Sequence, residues 1–67
     1  MSINLIVNGS MIEVCELLTL SGLMETMKVE GRYAVEVNGQ IVVKSLHAGY
    51  TFAQGDIVEI VVAVGGG

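Results

Sequence analysis

Only one segment of this chain carries apolar residues at the helical period. Leu20, Leu23, Met24 and Met27 are spaced at i, i+3, i+4 and i+7, which places them along one face of a helix. The other periodic segments alternate apolar and polar residues, as strands do. A single helix in a chain of 67 residues can bury its apolar face only against a sheet. The sequence therefore predicts one helix packed on one face of one β-sheet.

Two Asn-Gly pairs mark turns between the predicted strands. Asn-Gly is the dipeptide that best supplies the positive φ angles of a two-residue hairpin. Asn8-Gly9 therefore predicts a hairpin before the helix, and Asn38-Gly39 predicts a second one after it. The strands predicted from these turns and from the alternation cover residues 1–8, 11–16, 33–38, 41–43 and 57–64.

The boundaries of the helix and of the last loop have their own signals. Thr19 stands at the N-cap position, where its hydroxyl can accept a hydrogen bond from a free backbone N–H, and Gly31 is the predicted exit. Residues 45–54 have no clear period, so we predict a loop or a brief helical turn there, anchored by Leu46 and Phe52.

The alternation also predicts which side chains face the helix and how the strands are arranged. The predicted helix-facing residues are Leu5, Val7, Ile12, Val14, Val35, Val37, Val58, Ile60 and Val62. The first and last strands are the most apolar, so we expect them in the middle of the sheet, side by side and parallel, with the helix in the crossover. This arrangement is an α+β fold, the β-grasp or ubiquitin-like fold, with a mixed sheet of four to five strands packed on one helix. We assign residues 1–64 to this domain.

Charge excludes several classes of partner. Three basic residues against seven acidic ones give a net charge of −4, which repels phosphate backbones and anionic lipid headgroups. We therefore expect neither nucleic acid nor a membrane as a partner. The apolar run Leu5–Val7 follows no basic segment and is too short for a signal peptide, so we expect a cytoplasmic protein.

The small size of the chain argues against an enzyme. A domain of this length buries only about 60% of the surface that its unfolded chain exposes, so a deep catalytic pocket would hollow out the core. Cys15 is the only cysteine, which excludes an internal disulfide and a cysteine-based metal site. We expect a carrier or binding partner that needs no cofactor and no metal, not a catalyst.

The last predicted strand runs into a flexible tail formed by Gly65, Gly66 and Gly67. A tail without side chains can enter a narrow cleft of another protein and present the carboxylate of Gly67 there. The alternative interpretation is a frayed end or a remnant of cloning.

Chemistry at this carboxylate requires activation. A carboxylate becomes a good electrophile when its oxygen attacks the α-phosphate of ATP and forms an acyl-adenylate. The chain has neither the G-x-x-x-x-G-K-[ST] loop nor the G-x-G-x-x-G turn of nucleotide sites, because glycines 65–67 follow a strand with no helix after them. The chain would therefore be the substrate of an activating enzyme.

A few other residues could carry function. Ile6, Ile57 and Val61 alternate with the helix-facing set, so we predict them on the open face of the sheet, where they offer a docking patch for partners unless a loop covers them. Cys15 could hold a persulfide, but we interpret it as a small packed hydrophobic residue. His47 has no recognisable partner for base or ligand chemistry, so we interpret it as a surface loop residue.

Several short motifs follow one another with a distinctive order and spacing. They are the Asn8-Gly9 hairpin, Thr19-Leu20 with Leu23-Met24-Glu25 and Met27, the run Val37-Asn38-Gly39-Gln40-Ile41-Val42, Gly55-Asp56 with Val58-Glu59-Ile60, and the glycine end. In this combination the chain resembles, over its whole length, the sulfur carrier of thiamine thiazole biosynthesis, the ThiS family.

The resemblance implies a function and a set of partners. Gly67 would be adenylated with ATP by an enzyme related to ubiquitin-activating enzymes and then converted to a thiocarboxylate. The sulfur would come from a donor such as a cysteine desulfurase, and thiazole synthase would take it. Three alternatives stay open: a sulfur carrier of molybdopterin synthesis, a ubiquitin-like modifier joined to lysines, and a regulatory binding module whose tail does no chemistry.

Overall fold

The structure, a computed structural model, describes residues 1–63. Its elements are β1 (Ser2–Val7), β2 (Ser10–Cys15), α1 (Leu20–Thr26), β3 (Tyr33–Val37), β4 (Gln40–Ile41), a 3₁₀ helix (Lys44–Gly49) and β5 (Ile57–Val62). The predicted domain boundary at Val64 and the predicted tail at residues 65–67 lie outside the described residues. Neither helix in residues 1–63 is long and apolar enough to span a membrane.

The strands form one mixed sheet in the order β2-β1-β5-β3-β4. β1 and β5 lie side by side and parallel, and the N–H of Ile6 donates to the carbonyl oxygen of Asp56 at 2.9 Å between them. The other neighbouring strands pair antiparallel. The predicted β-grasp arrangement, with the first and last strands adjacent and parallel, is confirmed.

One apolar core lies between the sheet and α1. Its largest fully buried side chains are Leu5, Leu20, Leu23, Val35 and Val58. Ile12 and Val14 on the edge strand β2 are partly buried against this core, as predicted. The predicted helix-facing set is confirmed except for Val62, which is 44% exposed because it lies at the end of the sheet, opposite the first residue of β3.

Both Asn-Gly pairs form the predicted turns. Asn8 and Gly9 have φ angles of 48° and 85°, and Asn38 and Gly39 have φ angles of 52° and 83°. Positive φ at both central residues is the pattern of the type I′ turn, whose twist matches that of the strands it joins. The turns therefore fix the register of the β1-β2 and β3-β4 hairpins.

Helix α1 begins where the sequence predicts but buries a shorter face. The Thr19 hydroxyl oxygen accepts the N–H of Gly22 at 3.1 Å, which confirms the N-cap. Met24 is buried, whereas Met27 is 42% exposed. Met27 was predicted on the apolar face, but it is the C-cap residue and lies beyond the last helical turn.

The prediction that Gly31 ends the helix is wrong. Lys28 takes the left-handed position after the C-cap, with a φ angle of 56°. Its N–H donates to the carbonyl oxygen of Glu25, and the N–H of Val29 donates to that of Met24. These two bonds form a Schellman motif, which satisfies the last carbonyl groups of the helix three residues before Gly31.

The predicted strand at residues 41–43 is also wrong in its bounds. β4 covers only Gln40–Ile41. The N–H of Val42 still donates to the carbonyl oxygen of Val35 at 2.9 Å, but the 3₁₀ helix begins at Lys44. The chain therefore leaves the sheet edge just after the hairpin turn, and β4 stays short.

The 3₁₀ helix reverses two predictions for the segment 45–54. Leu46, the predicted anchor, is 58% exposed, whereas His47, interpreted as a surface residue, is only 4% exposed. A 3₁₀ helix has about three residues per turn, so Lys44 and His47 lie on one side of it, and both contact Tyr33. Phe52, the other predicted anchor, is buried as expected.

Candidate functional site

The point where the chain leaves the sheet is the first part of the candidate site. At the end of β5, Val62 lies opposite Tyr33, the first residue of β3. The N–H of Ala63 then donates to the carbonyl oxygen of Arg32 at 2.9 Å. We call this end of the sheet, defined by residues 32–33 and 62–63, the tail exit. The predicted acceptor Gly67 and its neighbours Gly65 and Gly66 lie outside the described residues.

The open face of the sheet is the second part. Ile57 and Val61 are 49% and 58% exposed, and Ile6 is half-buried. No loop in residues 1–63 therefore covers Ile57 and Val61. Ile6 and Ile57 are direct neighbours across the parallel β1-β5 pair. Val61 lies four residues farther along β5, about 13 Å from Ile57, so the predicted patch is elongated.

Two open-face residues were missed by the sequence analysis. Met11 is 70% exposed and pairs with Ile6, so it extends the apolar surface of Ile6 and Ile57 onto the edge strand β2. Ile41 is 59% exposed and lies opposite Glu36 at the other edge. The two-residue alternation of β2 places Met11 on the same face as Glu13, and this signal would have found it.

Carboxylates interrupt the apolar surface of the open face. Glu59 lies between Ile57 and Val61 on β5 and pairs directly with Glu36 on β3. Two carboxylates at directly opposite positions repel each other. A cationic group from a partner would relieve this repulsion, so the open face combines apolar contact with a site of negative charge.

A cluster of aromatic and basic side chains lies beside the tail exit. The Lys44 ammonium is 5.2 Å from the centre of the Tyr33 ring. The Tyr33 and His47 rings are 6.1 Å apart at an angle of 30°. The His47 ring is itself fixed by a hydrogen bond, because its Nε2 is 2.8 Å from the carbonyl oxygen of Val42. These contacts place Lys44 over the side chain of Tyr33, the residue that pairs with Val62 at the end of β5.

Cys15 is exposed, so its interpretation as a packed hydrophobic residue is wrong. It lies on the same face of β2 as Met11 and Glu13, away from the helix. Its Sγ accepts the N–H of Leu17 at 3.5 Å. Within residues 1–63, no group of three or more His, Cys, Asp or Glu side chains is placed to hold a metal ion, and no pocket is found.

Comparison with known proteins identifies the family. The family model described as the ThiS family matches residues 3–67. The crystal structure of a thiamine biosynthesis protein (ThiS) from Geobacter metallireducens superposes with a TM-score of 0.80 at 33% sequence identity, and the match covers 97% of this chain and 100% of that one. The chain belongs to the ThiS family.

Membership of the ThiS family agrees with the fold described above. The ThiS match runs from the second residue of β1 to Gly67, so it includes the glycines that the structure does not describe. A search of curated proteins found no match. The tail exit lies four residues before the predicted acceptor Gly67 in the sequence, and the open face is the exposed apolar face of the described sheet.

Proposed function

We propose that this protein is a sulfur carrier whose working group is the carboxylate of Gly67. The observation that carries the proposal is the ThiS family match, which spans residues 3–67 and therefore includes Gly65, Gly66 and Gly67. In this proposal the folded domain performs no catalysis. It is recognised by partner enzymes, and the glycines deliver the carboxylate into their active sites.

The proposed chemistry begins with adenylation. A carboxylate oxygen of Gly67 attacks the α-phosphate of ATP, a bond from that phosphorus to the β-phosphate oxygen breaks, and pyrophosphate leaves. The product is a mixed anhydride in which AMP is the leaving group. A partner related to ubiquitin-activating enzymes catalyses this step and supplies the nucleotide site, while this chain needs no cofactor of its own.

Sulfur transfer follows. A persulfide derived from a cysteine desulfurase or a similar donor attacks the activated carbonyl carbon and displaces AMP, which gives an acyl disulfide on Gly67. A thiol then cleaves the S–S bond of this acyl disulfide, which leaves a thiocarboxylate on Gly67 and a disulfide between the thiol and the donor. Thiazole synthase then takes the sulfur for thiazole formation in thiamine biosynthesis. The name of the Geobacter metallireducens protein, a thiamine biosynthesis protein, supports this pathway. Since the first step uses ATP, we place the protein in the cytoplasm.

We further propose that Ile6, Ile57 and Val61 bind the partners. Ile57 and Val61 are about half exposed, and Ile6 extends the apolar surface across to β1. Exposed apolar residues on an open sheet face are a common form of docking surface. The Val61 end of this surface is also the end of β5 nearest the tail exit, so a partner that holds it would lie close to the emerging chain.

Mass spectrometry of the intact chain tests the proposed function. The protein is incubated with ATP, the adenylating enzyme of the same organism and a sulfur source. The expected product has one oxygen replaced by sulfur, and a variant without Gly67 should stay unchanged. A conjugate with lysine would instead identify a protein modifier, and an unchanged wild-type chain would identify a binding module whose tail does no chemistry.

A further inference from the structure

The basic residues of this acidic protein are few, and none of them forms an ion pair within the described residues 1–63. The chain has three of them, Lys28, Arg32 and Lys44, against seven acidic residues. Within residues 1–63, the ion pair that forms joins the N-terminal ammonium to Glu16, and it involves no lysine or arginine. All three side chains are exposed. Their charges are therefore available to another molecule.

Two of these cations lie at the tail exit. The backbone of Arg32 accepts the hydrogen bond from Ala63, so Arg32 is next to the last described residue of the chain. Lys44 lies over the ring of Tyr33, which pairs with Val62. Arg32 and Lys44 come from separate parts of the sequence, and the fold brings them to the same end of β5.

Lys44 contacts the ring of Tyr33, and this ring is in turn packed against His47. Tyr33 holds the ammonium through a cation–π interaction, and the ring of His47 packs against the same tyrosine ring. His47 is only 4% exposed and is hydrogen-bonded to the backbone of Val42, so the ring that packs against Tyr33 is buried. The position of the charge is thus set by the fold of the 3₁₀ helix.

We propose that Arg32 and Lys44 bind carboxylate groups at the mouth of the cleft that receives the tail in the adenylating partner. This inference rests on the proposed function and adds the chemistry of the contact. Four residues follow Ala63, and an extended segment of that length spans at most about 14 Å. When Gly67 reaches a buried active site, the tail exit must therefore stand at the entrance, and its two cations face the rim.

The proposed contact acts on binding and not on chemistry. A chain with a net charge of −4 is repelled as a whole by an acidic surface. Two cations at one end of the sheet let that end approach the acidic surface, and they thereby set the orientation in which the chain binds. Charged groups at the rim of an interface change the association rate and its salt dependence. We expect their removal to raise KM for this chain and to leave kcat unchanged.

The test compares single neutralisations with a matched control. Arg32→Gln, Lys44→Gln and Gln40→Glu each change the net charge from −4 to −5. Gln40 is the control position, because it lies beside the second hairpin turn, at the opposite end of β3 from Tyr33. In adenylation assays with the partner at low ionic strength, each neutralisation should raise KM about three- to fivefold, while Gln40→Glu should not. Lys44→Arg should behave like the wild type.

Salt separates the proposed contact from a loss of structure. The difference between each variant and the wild type should shrink as the ionic strength rises, because salt screens charges at an exposed rim. Equal KM values for the two neutralised variants and the wild type at low salt would overturn the inference, as would the same increase for Gln40→Glu. If the wild-type chain is not adenylated at all, the proposed function itself fails.

Discussion

His47 is the polar residue that the core of residues 1–63 accommodates. Its Nε2 lies 2.8 Å from the carbonyl oxygen of Val42, and a carbonyl oxygen can only accept, so Nε2 carries the proton. Its Nδ1 is buried and has no hydrogen-bond partner within residues 1–63. The ring thus combines one hydrogen-bonded nitrogen, one buried nitrogen without a partner in residues 1–63, and packing against Tyr33.

Replacing this ring should destabilise the fold. His47→Ala removes a buried side chain and leaves the Val42 carbonyl oxygen without this donor, so we expect the free energy of unfolding to fall by about 2–3 kcal/mol. Leu46→Ala is the matched control, since Leu46 is the adjacent residue and is 58% exposed. Urea unfolding of the two variants measures the difference. A larger loss for Leu46→Ala would contradict the assignment of His47 as the anchor.

At the scale of elements, the two hairpin turns do more than reverse the chain. The side-chain oxygen of Asn8 accepts the N–H of Ile60 at 2.8 Å. That of Asn38 accepts the N–H of Ile57 at 2.9 Å, and its amide donates to Asp56 at 2.9 Å. Each turn asparagine therefore binds β5 and fastens it between the two hairpins.

Asn38→Gly separates the two roles of this residue. Glycine keeps the positive φ angle of the turn but removes the bonds to Ile57 and Asp56. We expect a loss of about 1 kcal/mol in the free energy of unfolding, because two exposed hydrogen bonds disappear. Thermal or urea unfolding measures it. An unchanged or raised stability would show that the turn conformation alone matters.

The elements that the sequence predicts well are those with a long, clear period. The alternation around Leu5 and Val58 and the Asn-Gly turns predict four of the strands and both hairpins. β4 and the 3₁₀ helix are predicted only approximately, as a strand at residues 41–43 and as a loop or brief helical turn at 45–54, because two and six residues are too short to show a period. The end of α1 escapes it too, since Lys28 takes a backbone conformation that favours glycine.

At the scale of the whole molecule, the alternation of side chains between the two faces of each strand predicts part of the candidate site. It places Ile57 and Val61 on the open face, and the structure shows both exposed. It does not predict the cluster at the tail exit, because Arg32 meets Ala63 and Lys44 meets Tyr33 only once β3, the 3₁₀ helix and β5 are assembled. The roles of the glycines at 65–67 stay predictions.

A charge on the open face tests the docking proposal. Val61→Glu places a carboxylate on the same strand face as Glu59, and we expect KM for adenylation to rise about tenfold while stability changes little. Leu17→Glu is the control, because Leu17 is 77% exposed but lies outside the sheet, between β2 and α1. Adenylation kinetics and a thermal melt check both points. Unchanged kinetics for Val61→Glu would remove this face from the interface.

The parallel pairing of β1 with β5 has a consequence for biosynthesis. β5 separates the two hairpins in the sheet, yet it is the last of the described strands to leave the ribosome. Until it emerges, β1-β2 and β3-β4 have no strand between them to join, and the nascent chain cannot close its core. Translation must therefore pass Val62 before folding completes, and a product that stops earlier would be left for proteases to remove.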